Sequence, residues 1–484
     1  MMLLHNAFLA GSNMSTDTLY WYDLETFGAD VRSDRVCQFA GIRTDQNLDI
    51  LGDPLVIYCR PADDFLPSPF ACLVTGITPQ TALSQGVTES DFTQQIIREF
   101  SMPGTCVVGY NNISFDDELM RRLFYRNFFD PYEREYMNGN SRWDIIDMVR
   151  LCGAARPDGI NWPRKESGAK SFKLDELTVA NDIEHRGAHD ALADVLATIN
   201  MARLIKEKQP RLYDHVFTLR KKHEIETKLD CVAQKPVLHV SMHYSSMKGC
   251  LGLVVPLCLH PTQNNKIIVY NLDYDPSSWV DLDHDGLKER IKNKTKNPIK
   301  VIKINTCPIF VDPQVLSREQ AQEFGLDINE GMKNARFLQN NRNISKKIKE
   351  VFKEERLIEE SDPDLMIYSG KFFNSHDKKL MEVIRDTKPD DLARLDLPFN
   401  DPRLPEMFFR YRARNFIETL NEEELKRWNQ FRRQKLHESG AVSKFADSIK
   451  KANDQVVAKN IVNGREVLLE LKEYVHQLTQ SLKL

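Results

Sequence analysis

The stretch Leu19-Tyr20-Trp21-Tyr22-Asp23-Leu24-Glu25-Thr26 decides how this chain is read. Its first half is an unbroken apolar and aromatic run, the signature of a buried strand. Residues i and i+2 of a strand point to the same face, so Asp23 and Glu25 stand side by side at its end. Oxygen ligands at that density suit a hard cation such as Mg²⁺ or Mn²⁺. Without a cation, two adjacent carboxylates repel and one tends to take up a proton.

An Asp-x-Glu pair is frequent by chance, so partners must come from elsewhere in the chain. One is in Ser114-Phe115-Asp116-Asp117-Glu118, where chemistry alone leaves the three acids equivalent. Another is in His189-Asp190-Ala191-Leu192-Ala193-Asp194. From Ala191 the apolar positions Leu192, Val195, Leu196, Ile199 and Ile205 follow helical spacing. Asp190 is placed to cap that helix, and Gln209-Pro210 ends it. Asp194 then lies in the first turns, where it can ligate a metal. His189 precedes the helix on a more mobile connection, which suits a general base. Asp144 and Asp147 are candidates for supporting roles or for surface ion pairs.

A chain of 484 residues implies two or three domains. With 41% hydrophobic and 28% charged residues it reads as a globular protein, and no apolar run approaches the ~20 residues of a membrane span. Residues 1–18 read as a flexible extension rather than a signal peptide, because no basic segment precedes the short apolar stretch; Met14 offers a second start. Nine scattered cysteines without a Cys-x-x-Cys pair fit a reducing cytoplasm and argue against a zinc site. The net charge of −4 means that any phosphate contacts must come from local patches.

Residues 19–206 alternate strand-like segments (19–22, 38–43, 55–59, 106–109) with helical ones (92–100, 117–124), an α/β pattern with a mixed sheet. Residues 207–360 carry short strands (235–240, 252–257, 267–271, 299–304), then helical stretches at 317–325 and 329–354. Residues 361–484 are mainly helical and rich in charge. Seven basic residues against one acid between Lys288 and Lys303 form the strongest cationic run. Arg410, Arg412 and Arg414 are interleaved with Phe409, Tyr411 and Phe416, a pattern open to either strand binding or ion pairing with Glu406 or Glu422–Glu424.

The Asp-x-Glu, the middle Asp and the His-x4-Asp together resemble the DEDDh exonucleases. Pro61-Ala62-Asp63-Asp64, Thr75-Gly76-Ile77-Thr78-Pro79, Gly109-Tyr110-Asn111-Asn112, Phe124–Phe128, Gly159–Pro163 and Phe409–Phe416 narrow the resemblance to the bacterial exonuclease I family. It implies an RNase H-like exonuclease domain (19–206), a β-rich SH3-like domain with appended helices (207–360) and an all-α C-terminal domain (361–484), set around a channel. The implied activity is 3′→5′ hydrolysis of single-stranded DNA to 5′-mononucleotides, in DNA repair and recombination, by a cytoplasmic monomer. Two Mg²⁺ ions, replaceable by Mn²⁺, would be shared by Asp23, held on the water side by Glu25 and Asp194, and reached by Asp116, which the family pattern of Phe followed by Asp selects. His189 would be the general base. Glu25, Thr26, Phe27 and Ile77 (or Val74) would meet the terminal nucleotide, with Arg126 and Arg142 on phosphates. The acidic, hydrophobic C-terminal tail of single-stranded DNA-binding protein would dock at Arg156 and Lys235, with His215 where an aromatic side chain is expected. An RNA-directed DEDDh exonuclease and an inactive nucleic-acid-binding scaffold are the alternatives.

Overall fold

The computed structural model describes residues 17–185, 187, 190–293, 297–354 and 360–482. Most of the expected N-terminal extension, and His189, lie outside the described residues. The opening stretch is strand β1 (Thr18–Thr26), the centre of a five-stranded mixed sheet. The other strands are β2 (Val36–Thr44), β3 (Ile50–Tyr58), β4 (Thr105–Gly109) and β5 (Ser141–Asp144), in the order β3-β2-β1-β4-β5. β2 runs antiparallel to β1, and β4 parallel.

A central strand covered on both sides has to be apolar on both faces, which explains the aromatic run. Tyr20, Tyr22 and Leu24 pack with Phe39, Phe92, Phe100 and Phe124. Leu19 and Trp21 face the other way, toward Trp143, Val195 and Ile199. Asp23 and Glu25 continue this second face, so the pleat aims them toward the helix Ala191–Lys208. The β1–β2 register shifts between Glu25 and Thr26, a bulge of the kind that re-aims side chains at a sheet end.

The second sheet comprises β6 (Val237–Val240), β7 (Leu251–Leu259), β8 (Lys266–Asn271), β9 (Ile299–Lys303) and β10 (Ile309–Val311), antiparallel in the order β10-β6-β7-β8-β9. The stretch read as one helix from 329 to 354 is two, Ile328–Asn340 and Asn343–Val351. One continuous buried cluster joins this region to the nuclease sheet, running from Trp21 to Trp279. The C-terminal region is helical, and no helix among the described residues is long and apolar enough to cross a membrane.

The arginines of Phe409–Phe416 are cross-braces. On the helix Leu404–Asn415, Arg414 bridges Asp64 (2.8 Å) and Asp364 (2.7 Å), Arg410 meets Asp362 (2.5 Å) and Glu406 (2.8 Å), and Arg412 meets Glu424 (2.7 Å). Lys435 adds a bond to Asp64 at 2.7 Å. The two bonds to Asp64 tie the nuclease domain to the helical one, and the rest hold the helical domain together; all three arginine side chains are buried.

Glu89 anchors a second buried pair, with Arg126 at 3.0 Å and the Asn127 amide at 2.9 Å. Burial alone would raise its carboxyl, but the Arg126 and Arg35 charges and the Arg126 hydrogen bond outweigh it and pull it from 4.5 to about 2. Because the folded value lies below the unfolded one, this contribution is full above about pH 4.5 and is lost as pH falls toward 2. It corresponds to on the order of 3 kcal/mol. Glu89→Gln should destabilise the protein by that amount at pH 7, with the gap to wild type closing as the pH falls toward 2. Urea unfolding across pH checks it, and a gap that does not change with pH would count against this ion pair.

Candidate active site

Three carboxylates converge at the end of β1. Asp23, Glu25 and Asp194 each offer an oxygen, and the three atoms lie within 4.8 Å of one another. Asp194 is presented from the first turn of the helix Ala191–Lys208, whose start is fixed as expected by Asp190 accepting the Ala193 N–H at 3.1 Å. Asp116 opens the helix Asp116–Arg126, buried, with Asp23 as the nearest charge acting on it.

The structure separates the three acids that chemistry alone left equivalent. Asp117 is fully buried on the Tyr22 side of the sheet, where it accepts from the Tyr22 hydroxyl (2.7 Å), Arg134 (2.5 Å) and Arg142 (2.6 Å). Burial opposes ionisation of Asp117, but these arginines prevail and hold it well below the usual carboxylate range. Glu118 pairs with Arg121 at 2.7 Å and accepts the Tyr368 hydroxyl. Asp116 is the one of the three with no ion-pair partner among the described residues.

Such a cluster is poorly stable as bare anions. Burial, then the Asp194 charge, pushes Asp23 well above its ordinary range. Burial, then Asp23, Asp194 and Asp190, pushes Glu25 up to about 9. Burial and Asp23 raise Asp116. The remedy is a divalent cation, and an all-oxygen donor set fits Mg²⁺ or Mn²⁺. Asp144 supports the site from behind: its carboxylate accepts the backbone N–H groups of Asn111 (2.8 Å), Ile113 (3.3 Å) and Ile146 (3.0 Å), ordering the loop that leads to Asp116.

Other expected contacts fall differently. Phe27 is fully buried against Phe65, at 5.8 Å between ring centroids, so its ring cannot stack on a base; only its backbone is available. The Thr26 hydroxyl donates to the Gly28 carbonyl at 2.8 Å. Ile77 is closed into the cluster that holds the C-terminal helices, whereas Val74 is exposed. Arg126 is committed to Glu89, and Arg142 to Asp117 and the Asn305 carbonyl (2.8 Å). Direct phosphate contact by either arginine would break a buried ion pair, which corrects that expectation. His185 is buried, with Nε2 2.5 Å from Asp194 Oδ1 and Nδ1 3.1 Å from Thr178 Oγ1, and no sequence pattern announces either contact.

Hard oxygen donors gathered at the end of a central strand are the equipment of a divalent-metal nuclease. The description "Exonuclease" matches residues 20–202, "Exonuclease I SH3-like domain" residues 220–354 and "Exonuclease I C-terminal domain" residues 361–478. Exodeoxyribonuclease I of Escherichia coli (strain K12) is 43% identical over 425 residues, covering 86% of this chain and 89% of that protein. The crystal structure of E. coli exonuclease I in complex with a dA16 oligonucleotide superposes with a TM-score of 0.92 at 40% identity, covering 96% of this chain and 100% of that one. A structure titled as SSB/Exonuclease I with an inhibitor gives 0.89 at 40% identity, covering 96% and 99%. The chain belongs to the exonuclease I family. It is an exodeoxyribonuclease, acting 3′→5′ on single-stranded DNA, and it depends on a divalent metal. The RNA-directed and inactive readings are not favoured, since proteins named exodeoxyribonuclease I match over most of the chain.

The carboxyl shifts carry a sign. Folded values above the unfolded ones mean that protonation stabilises the metal-free fold below about pH 4.5, and that this stability is lost as the pH climbs to about 9. A bound cation reverses the trend, because it favours the ionised ligands. Thermal melts between pH 5 and 9, with chelator and with Mn²⁺, should show a metal-induced gain that grows with pH. A gain independent of pH would contradict the arrangement.

Proposed function

We propose that this chain removes 5′-mononucleotides one by one from the 3′ end of single-stranded DNA, using two Mg²⁺ ions that Mn²⁺ can replace. We further propose that it works as a cytoplasmic monomer in DNA repair and recombination. The convergence of Asp23, Glu25 and Asp194 beside the unpaired Asp116 is the observation that carries the reading. Bound cations would supply Lewis acidity for the attacking water and the leaving 3′ oxygen. The protein's part is geometric and electrostatic. Asp23, Glu25, Asp194 and Asp116 would hold the cations, Asp23 serving both, Glu25 and Asp194 the one that activates water and Asp116 the other. His189 takes the proton from the attacking water.

Asp23→Ala or Asp194→Ala should abolish hydrolysis of a labelled strand in Mg²⁺ while strand binding persists, since phosphate contacts elsewhere carry affinity. Asp23→Ala should also melt higher than wild type in chelator, because one buried like charge is gone. Near-normal turnover by either variant would sink the site. His189→Ala should lower turnover roughly 10²–10⁴-fold, the range for a positioned general base, with little change in calorimetric Mn²⁺ binding.

We also propose that the acidic, hydrophobic C-terminal tail of single-stranded DNA-binding protein docks at Arg156 and Lys235. One short segment draws both residues together: Arg156 Nη1 donates to the Val315 carbonyl at 2.8 Å, and Lys235 meets Asp312 at 3.4 Å. Both cations are exposed, as capture of a terminal carboxylate requires. Arg156→Ala should weaken a labelled tail peptide by about 1–3 kcal/mol in fluorescence anisotropy and leave activity on naked DNA unchanged. Equal affinities would remove Arg156 from the surface.

A further inference from the structure

We infer that His185 is a positioning residue for the metal site, holding Asp194 in the orientation that lets it ligate. The inference rests on the reading of Asp23, Glu25 and Asp194 as cation ligands. His185 lies outside the set that performs the chemistry, and among the described residues it touches that set at Asp194.

The geometry is a chain of three hydrogen-bonding groups. Thr178 is buried on the helix Leu174–Ala180. Its hydroxyl lies 3.1 Å from His185 Nδ1 and 2.9 Å from the Asp175 carbonyl. The hydroxyl donates to the Asp175 carbonyl, so its oxygen can accept from His185 Nδ1, while the ring's Nε2 lies 2.5 Å from Asp194 Oδ1. The ring thereby fixes the orientation of the Asp194 carboxylate, which also contributes an oxygen to the cluster with Asp23 and Glu25.

The ring is held from behind. Asp182 takes a left-handed conformation (φ 52°), turning the chain back so that the Ile183 N–H reaches the Thr178 carbonyl at 2.9 Å. The Asn181 side chain accepts the Asn161 N–H at 2.8 Å and donates to the Leu177 carbonyl at 2.9 Å. This anchored turn delivers an imidazole with only 5% of its side chain exposed against a carboxylate on a different helix. An Asp side chain without such a partner rotates about two torsions, and each ligand that must be ordered on binding weakens the cation site. Groups that hydrogen-bond to metal-ligating carboxylates fix ligand orientation, and their loss costs about 10–100-fold in metal affinity or activity.

The test compares the full-length wild type with His185→Leu, which fills space without a donor, and His185→Gln, which keeps a donor near the Nε2 position. The Mg²⁺ and Mn²⁺ dependence of single-stranded DNA hydrolysis is measured together with calorimetric Mn²⁺ binding, KM for DNA and thermal melting in chelator. In His185→Leu the half-saturating metal concentration should rise about 10–100-fold, with activity largely recovered at high metal and KM within about twofold of wild type. His185→Gln should recover most of the metal affinity. If His185→Leu fails to fold, Thr178→Val carries the comparison, because it removes the hydroxyl that holds the ring at Nδ1, and it should shift metal dependence in the same direction. Unchanged metal dependence in His185→Leu, or in Thr178→Val where that stands in, overturns the inference; so does an equal loss in His185→Leu and His185→Gln that high metal does not restore. A wild type that hydrolyses DNA without any divalent cation would instead overturn the underlying metal-site reading.

Discussion

Like charges held close together away from water repel strongly, and the end of β1 forces that condition on Asp23, Glu25, Asp116 and Asp194. The surrounding architecture can be understood as what makes such a cluster tolerable. A central strand buried on both faces fixes the first two carboxylates without backbone freedom. A capped helix brings the third, and a loop ordered by Asp144 brings the fourth. The fold alone leaves the repulsion uncompensated, and a cation removes it. Dependence on a divalent metal follows from the placement of the acids.

The same physics explains where the arginines went. Asp64, Asp117, Asp364 and Glu89 are also buried acids, but each has guanidinium partners at hydrogen-bond distance, and each is held below its ordinary range. Among the described residues, these arginine-neutralised carboxylates contrast with the acids at the end of β1, which press on one another instead. Asp116 and Asp117 are neighbours in sequence and fall on opposite sides of this contrast, Asp117 beside Tyr22 and its arginines and Asp116 beside Asp23.

Arginine neutralisation also binds the domains together. Arg414 reaches Asp64 of the nuclease domain and Asp364 of the connecting segment at once, and Trp428 donates to Asp63 at 3.1 Å. The C-terminal helices Ala441–Lys459 and Gly464–Ser481 share a core with Phe65 and with Phe27, which directly follows β1. Residues that looked available for a nucleotide, Phe27 and Ile77 among them, are used to seat the helical domain.

The sequence by itself determined the strand that carries Asp23 and Glu25, the capped helix that carries Asp194, the three-part organisation and the family. Strand and helix periodicities are local, and the motifs lie within a few residues of one another. The short β5, whose Ser-Arg-Trp-Asp has no strand-like alternation, and the break between the helices Ile328–Asn340 and Asn343–Val351 were not legible. The roles of Arg126, Arg142 and Arg414 were not legible either, since a guanidinium reads the same whether it faces a phosphate or a buried acid that only the fold brings near, 25 residues away for Arg142 and 350 for Arg414. His185 belongs with them: its two partners come from two helices, and only the turn at Asp182 brings the ring between them. Tertiary structure decided these points because burial and long-range pairing depend on what packs against a residue, which no short stretch of sequence contains.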